Sequence, residues 1–296
     1  MKILDGKIIR DEILAQLKGE FAKLPTPSRL AIIQVGARAD STAYIRQKKI
    51  FAEKANVIVE RIKFLENCSG EEIIEKIRGL NKDKEVHGII VQLPLPANFN
   101  ADEIIESINP SKDVDGLTAK NLRQLMMGDL DGLIPATAKG ILKILDYYKI
   151  PIAGRRATII GRSRLVGKPA ALALLARGAT VTICHKETKN IAAISKEADI
   201  LITATGQKNL IGKEFVAPGQ TIIDVGNEVD FEAIKNIVGA ITPTPGGVGP
   251  LTVACLFENL LKARIIQLNY KIFFYFMDNK NCCDGKMKTW LLVLII

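Results

Sequence analysis

Short apolar runs alternate with amphipathic stretches along most of the chain, and this alternation limits the possible folds more than any other feature. Residues 30–35, 57–64 and 86–91 read as strands, and residues 8–17, 41–55 and 71–80 as helices. A turn-rich stretch at 109–116 follows, then a connecting helix over 137–148. Strands at 157–160, 181–184, 200–203, 221–225 and 239–241 form a second series, closed by a helix over 253–262. Strand–helix alternation at this spacing predicts an α/β fold with parallel sheets. At 296 residues and 48% hydrophobic content, the chain is large enough for two such units.

The formal net charge is +9, with the cations scattered. No Lys/Arg block or interleaved aromatic stripe marks a nucleic-acid footprint, so an anionic small ligand or a solvated surface fits better. Five Cys and two His show no zinc spacing, and no metal site is expected. The default compartment is a reducing cytoplasm. Lys2, Asp5 and Lys7 interrupt any apolar leader. The longest uninterrupted apolar run, 290–296, is far short of the roughly 20 residues that span a bilayer. No membrane partner is expected.

The strand at 157–160 runs into Gly161-Arg162-Ser163-Arg164-Leu165-Val166-Gly167-Lys168-Pro169. Pro169 suits a first helical turn, where its missing N–H is no loss. Gly161 permits a tight turn, and Gly167 permits close approach of a pyrophosphate or of the helix itself. Free amides at a helix start favour phosphate. This is Rossmann logic, although the spacing is not G-x-G-x-x-G. The competing reading is an ordinary βα turn. The next strand ends in Cys184-His185-Lys186, with no acidic residue for ribose hydroxyls. Lys186 and Arg162 stand where a 2′-phosphate would lie, which predicts NADP. Otherwise Lys186 is a solvated loop residue.

On the helix at 41–55, Tyr44, Ile45, Phe51, Ala52 and Ala55 share one arc, and Lys48 falls in its middle. An ammonium on an apolar face must snorkel, pair or lose its proton. Partial burial would bring its pKa toward the range of a general acid/base. Tyr44, one turn earlier, could stack on a flat ligand. A snorkelling Lys beside a core Tyr is the bland alternative. Gln92 stands at the carboxyl end of an apolar strand, where ligands of open α/β sheets bind. Asp115 sits beside Gly116 and could accept hydrogen bonds from a nitrogen heterocycle. Both could instead be turn or capping residues.

These residues belong to a longer pattern. Val35-Gly36…Asp40-Ser41…Tyr44…Lys48 comes first, then Gly88-Ile89-Ile90-Val91-Gln92-Leu93-Pro94-Leu95-Pro96 and Lys112-Asp113-Val114-Asp115-Gly116-Leu117. The segment from Gly161 to Pro169 and Thr242-Pro243-Thr244-Pro245-Gly246-Gly247-Val248-Gly249-Pro250-Leu251-Thr252 follow in order. With this set the chain resembles the bifunctional methylenetetrahydrofolate dehydrogenase/cyclohydrolases over about residues 1–264.

The resemblance implies two α/β domains flanking a cleft, a homodimer, and a closing helix that packs back on the first domain. The expected division is a folate-binding, catalytic domain over 1–118 completed by a helix at 253–264, and a Rossmann-like NADP-binding domain over 137–250. It also implies roles. Tyr44 would stack on the aminobenzoate of folate, Lys48 would be the general acid/base, Gln92 would orient and tune Lys48, and Asp115 would hold the pterin. Val91, Leu93, Gly249 and Pro250 would complete the folate side. Gly161, Arg162, Ser163, Gly167, Lys186 and Asn227 would form the NADP side. The implied activity is NADP-dependent oxidation of methylenetetrahydrofolate followed by hydrolysis to formyltetrahydrofolate.

Two features depart from that pattern. Only Asn227-Glu228-Val229 links Gly226 to Asp230-Phe231, where the family usually has about a dozen residues, and Asn227 replaces a usual apolar residue beside the cofactor. This keeps open a cyclohydrolase with weak or lost dehydrogenase activity, and a non-enzymatic folate- or nucleotide-binding protein. Residues 265–296 form an atypical tail, with apolar runs at 272–276 and 290–296. It could be a packed element, an interaction segment or a loose extension.

Overall fold

Buried parallel strands need apolar side chains on both faces, and that requirement selects the inner strands of this protein. The computed structural model describes residues 1–278, with side chains through residue 268. In its first half the order is β1 (Lys2–Ile3), α1 (Gly6–Ala22), β2 (Arg29–Val35), α2 (Ala39–Lys54), β3 (Ile58–Phe64), α3 (Gly70–Lys82) and β4 (Gly88–Val91). Three helices follow, α4 (Ala101–Glu106), α5 (Ala119–Met126) and α6 (Ala136–Tyr147). The second half runs β5 (Arg156–Ile160), α7 (Gly167–Ala176), β6 (Thr180–Cys184), α8 (Ile191–Lys196), β7 (Ile200–Thr203) and β8 (Thr221–Asp224). It ends with α9 (Phe231–Ile234), β9 (Ala240–Ile241) and α10 (Val248–Asp278).

The strands form two parallel sheets. The first has the order β3-β2-β4, and the second β1-β9-β8-β7-β5-β6. β2 is central in the first and buried from Leu30 to Val35. Its register pairs Ile33 with Val91 and Val35 with Phe64, which aligns the carboxyl ends of all three strands. In the second sheet the chain reverses its direction of travel between β5 and β7, its topological switch point. Local signals fix several helix starts. Asp5 accepts a hydrogen bond from Lys7 N at 2.7 Å at the start of α1. Ser69 and Glu72 form a reciprocal capping box on α3.

Two elements differ from the sequence reading. β1 escapes it because a two-residue strand carries no period; it pairs Lys2 with Ala240 and so places the N-terminus in the second sheet. The closing helix is also much longer than expected. It starts at Val248, so Gly249 and Pro250 lie in its first turn, and it continues to Asp278. Between Leu251 and Asp278 there is neither Gly nor Pro, so nothing local stops it. The first part of the expected tail, including the apolar run 272–276, is thus helix; the run 290–296 lies outside the described residues.

α10 packs on α1 and α6, and Phe257 stacks on Phe51 of α2 with ring centroids 4.8 Å apart. Full burial of a side chain of this size contributes about 1.5–3 kcal/mol. The far end of this contact is polar. The Arg264 guanidinium meets His87 Nε2 and donates to Thr26 Oγ1 at 2.6 Å. Gln267 donates to the His87 carbonyl at 2.9 Å. Arg29 N donates to His87 Nδ1 at 3.0 Å, so this buried imidazole is a structural joint, as its place before β4 suggests.

Candidate active site

The buried face of α2 carries Ser41, Ile45, Lys48, Phe51 and Ala52, spaced three and four apart. Lys48 is therefore drawn inward among apolar neighbours and is only 7% exposed. Its Nζ donates to Gln92 Oε1 at 2.9 Å. Gln92 follows β4 directly, and its own N–H donates to Ile33 O at 2.8 Å. Its Nε2 donates to Leu93 O at 2.9 Å. That bond fixes which end of the amide faces Lys48.

Burial pushes the Lys48 pKa below the ordinary lysine value, and the Asp115 carboxylate partly opposes this. Burial pushes the Asp115 pKa up, with the Lys48 cation pulling it back. The two groups thus face each other in a low-dielectric place, each held away from its solution behaviour. The loop carrying Asp115 is organised by Asp113, which is 1% exposed. Asp113 accepts from Gly116 N at 3.0 Å, Thr118 N at 2.8 Å and Asn121 Nδ2 at 2.9 Å. A bridge between Ile89 and Asp113 ties this loop to β4.

Lys48, Gln92, Leu93 and Asp115 line a cavity of about 250 Å³, with Tyr44 at its edge. Tyr44 also lines an adjoining cavity of about 500 Å³, together with Pro250, Gly226 and the 243–247 turn. Gly249, Val225, Val248 and Val253 line both. Tyr44 differs from its expected place in the apolar arc: it is 57% exposed, because its side of α2 faces cavity rather than core. Val91 lines neither cavity; its side chain packs in the core between β2, β4 and α3.

The second group of candidates surrounds the switch point. Gly161 ends β5 at φ 126°, a conformation side chains rarely adopt. A Cβ on Gly161 would collide with the Ala204 carbonyl, and one on Gly167 with the Gly161 carbonyl. Both glycines are thus required by close backbone approach. Ser163 Oγ accepts from Val166 N at 3.2 Å and Gly167 N at 3.3 Å. The amides expected to be free at the start of α7 are therefore partly engaged by Ser163. Arg162 is exposed, with its guanidinium 3.7 Å from the Glu187 carboxylate. Lys186, also exposed, follows β6, whose last residue Cys184 accepts from Gly161 N at 2.8 Å. The two cations therefore stand at neighbouring strand ends. Asn227 is exposed at φ 63°, a left-handed conformation that suits Asn, and it lines neither cavity. Val225 and Gly226 face the cavities in its stead.

The sequence reading did not single out the link between the two groups. Leu165 and Val166, in the loop after β5, line the same small cavity as Lys48 and Asp115. Arg164 beside them donates to Leu117 O at 2.9 Å and pairs with Asp102 and Glu106. No local pattern signals these contacts, which join residues far apart in the chain. Among the described residues no helix is long and apolar enough to cross a membrane.

Known proteins share this fold. Residues 4–115 match the model of the tetrahydrofolate dehydrogenase/cyclohydrolase catalytic domain, and residues 135–268 that of the family's NAD(P)-binding domain. The bifunctional protein FolD of Nitrosospira multiformis is 42% identical over 88% of this chain and 95% of its own length. The bifunctional FolD of Campylobacter jejuni, a methylenetetrahydrofolate dehydrogenase/cyclohydrolase of known structure, superposes with a TM-score of 0.87. It is 39% identical, covering 91% of this chain and 99% of its own. The Trypanosoma brucei enzyme, solved with NADP cofactor and an inhibitor, is 30% identical with a TM-score of 0.85, covering 88% of this chain and 96% of its own. The chain belongs to the tetrahydrofolate dehydrogenase/cyclohydrolase family.

Proposed function

We propose that this protein oxidises 5,10-methylenetetrahydrofolate with NADP⁺ and then adds water to the methenyl product, giving 10-formyltetrahydrofolate. The observation that carries this reading is one cavity lined both by Lys48, Gln92 and Asp115 and by Leu165 and Val166 of the loop after β5. A ligand on the first set meets a ligand on the second in that space. Alignment of two bound reactants is the main requirement of hydride transfer.

The residues at the switch point fit NADP. Gly161 and Gly167 let the loop after β5 turn tightly against the loop after β7, and Arg162 and Lys186 supply cations at the ends of β5 and β6 for a 2′-phosphate. When bound, NADP⁺ supplies the acceptor for the hydride that leaves the methylene bridge.

The chain's own residues do the rest. Asp115 accepts hydrogen bonds from the pterin nitrogens and fixes its orientation. Tyr44 stacks on the aminobenzoate ring at the cavity mouth. Leu93, Gly249 and Pro250 shape the walls, and Val91 supports them from the core. The methenyl cation is electrophilic, and water adds to its bridging carbon. Opening the ring requires a proton to leave that water and one to reach the departing ring nitrogen. Lys48, with its pKa lowered by burial, exchanges protons at this point. Gln92 holds the Nζ in place by the 2.9 Å bond. Overall one water is consumed and one proton released.

The division of labour is a unit around β2–β4 that binds folate and a unit around β5–β9 that binds NADP. β3 is an edge strand with Ile58 49% exposed, which supports pairing with a second copy in a homodimer. The free thiols of Cys68, Cys184 and Cys255 support a reducing, cytoplasmic setting. The short segment 227–229 favours one alternative, a cyclohydrolase with weak dehydrogenase activity. Parallel turnover assays on the methylene and methenyl substrates separate the two readings: both are consumed readily under the first, while under the second the methenyl compound is consumed and the methylene compound slowly or not at all.

A further inference from the structure

The segment between β8 and α9 is short, yet it carries a buried carboxylate that the chemistry above does not use. Glu228 is 1% exposed. Its Oε1 accepts from Thr205 N and from Gly206 N, each at 2.7 Å, and its Oε2 accepts from Thr205 Oγ1 at 3.0 Å. Thr205 and Gly206 belong to the loop that follows β7. This loop and the Gly161 loop after β5 leave the carboxyl ends of the two strands that flank the switch point, where open α/β sheets bind their ligands, and Gly161 touches Ala204 so closely that no Cβ fits between them. Residues 206–210 are exposed, so the loop has little packing of its own.

Glu228 is in turn fixed from behind. Its N–H donates to Asp224 Oδ1 at 2.9 Å, and its carbonyl accepts from Ile211 N at 2.9 Å. Asp224 also takes Thr203 Oγ1 at 3.3 Å. A chain of contacts thus runs from the buried ends of β7 and β8, through Glu228, to the loop after β7. Charge-assisted bonds of this kind are among the stronger hydrogen bonds in proteins.

We infer that Glu228 is a positioning residue for dinucleotide binding: its carboxylate sets the 204–206 loop against the Gly161 loop. The inference rests on the reading of the switch point as the NADP site. Loss of the side chain leaves two loop amides without their acceptor, and the loop relaxes away from its set position. Glutamine preserves most of the arrangement, because its amide oxygen still accepts both N–H groups and its Nε2 can donate to Thr205 Oγ1.

The test is titration of NADP⁺, followed by fluorescence, on wild type, Glu228→Ala and Glu228→Gln. Cyclohydrolase turnover without dinucleotide is measured on the same preparations. The expected result is an NADP⁺ Kd raised at least about fivefold in Glu228→Ala and within about twofold of wild type in Glu228→Gln. An unchanged Kd in Glu228→Ala overturns the inference while leaving the NADP reading intact. So does an affinity loss matched by an equal loss of cyclohydrolase turnover, which is general damage. A Glu228→Gln protein as weak as Glu228→Ala removes the acceptor geometry as the cause. Wild type that binds no NADP⁺ overturns both the inference and the reading beneath it.

Discussion

Lys48 Nζ lies 2.9 Å from Gln92 Oε1, with both side chains buried where the end of β4 meets the middle of α2. An acceptor on an ammonium favours the protonated form. Replacing Gln92 by Leu therefore lowers the Lys48 pKa beyond what burial already does. The limb of the cyclohydrolase pH–rate profile governed by Lys48 should move to lower pH, and turnover should fall as Nζ loses its fixed position. A limb that stays in place, or moves to higher pH, would contradict the tuning role of Gln92.

The same desolvation affects stability. The folded-state pKa of Lys48 lies below the ordinary value of 10.5, so the folded protein binds fewer protons than the unfolded chain between those two values. Stability then rises with pH across that window, and the full cost of the buried cation is felt below it. Lys48→Met removes that cost. The variant should melt at or above the wild-type temperature at neutral pH, by up to about 3 °C. The difference should shrink as pH approaches 10.5. Thermal melts of both proteins at several pH values measure this directly.

Tyr44 is 57% exposed at the mouth of the cavity, so it contributes little to the core. Tyr44→Ala should leave the melting temperature nearly unchanged. An aromatic stacking contact is worth about 0.5–1.5 kcal/mol. The folate KM should therefore rise about 2- to 12-fold. Steady-state kinetics beside a thermal melt separate lost stacking from lost stability.

Lys186→Ala should raise the KM for NADP⁺ by about tenfold or more, the scale of one lost bond to a charged group. The KM for NAD⁺, which has no 2′-phosphate, should barely move. Equal effects on both dinucleotides would assign Lys186 to the solvated surface.

Much of this was legible in the sequence, for reasons that differ by residue. The buried strands announce themselves as apolar runs, and Lys48 stands out because a cation in an apolar arc is costly. Its partners are not legible by the same route. Gln92 reaches Lys48 only through the register of β2 with β4, and Asp115 only through a loop folded by Asp113. Tyr44 falls in the same arc by angle, but a helical wheel cannot tell core from cavity. β1 is too short for any pattern, and the length of α10 follows from missing stop signals, which are weaker cues than present ones. Glu228 belongs to no periodic pattern or motif; only its place under the β7 loop makes it a buried acceptor.

The most direct test of the central claim is a spectrophotometric assay of methylenetetrahydrofolate with NADP⁺, and of methenyltetrahydrofolate alone, on wild type and Lys48→Met. The account predicts both activities in wild type and, in the folded variant, a cyclohydrolase rate lower by about 100-fold or more. Wild-type protein that consumes neither substrate, or a variant that hydrolyses the methenyl compound at the wild-type rate, would contradict it.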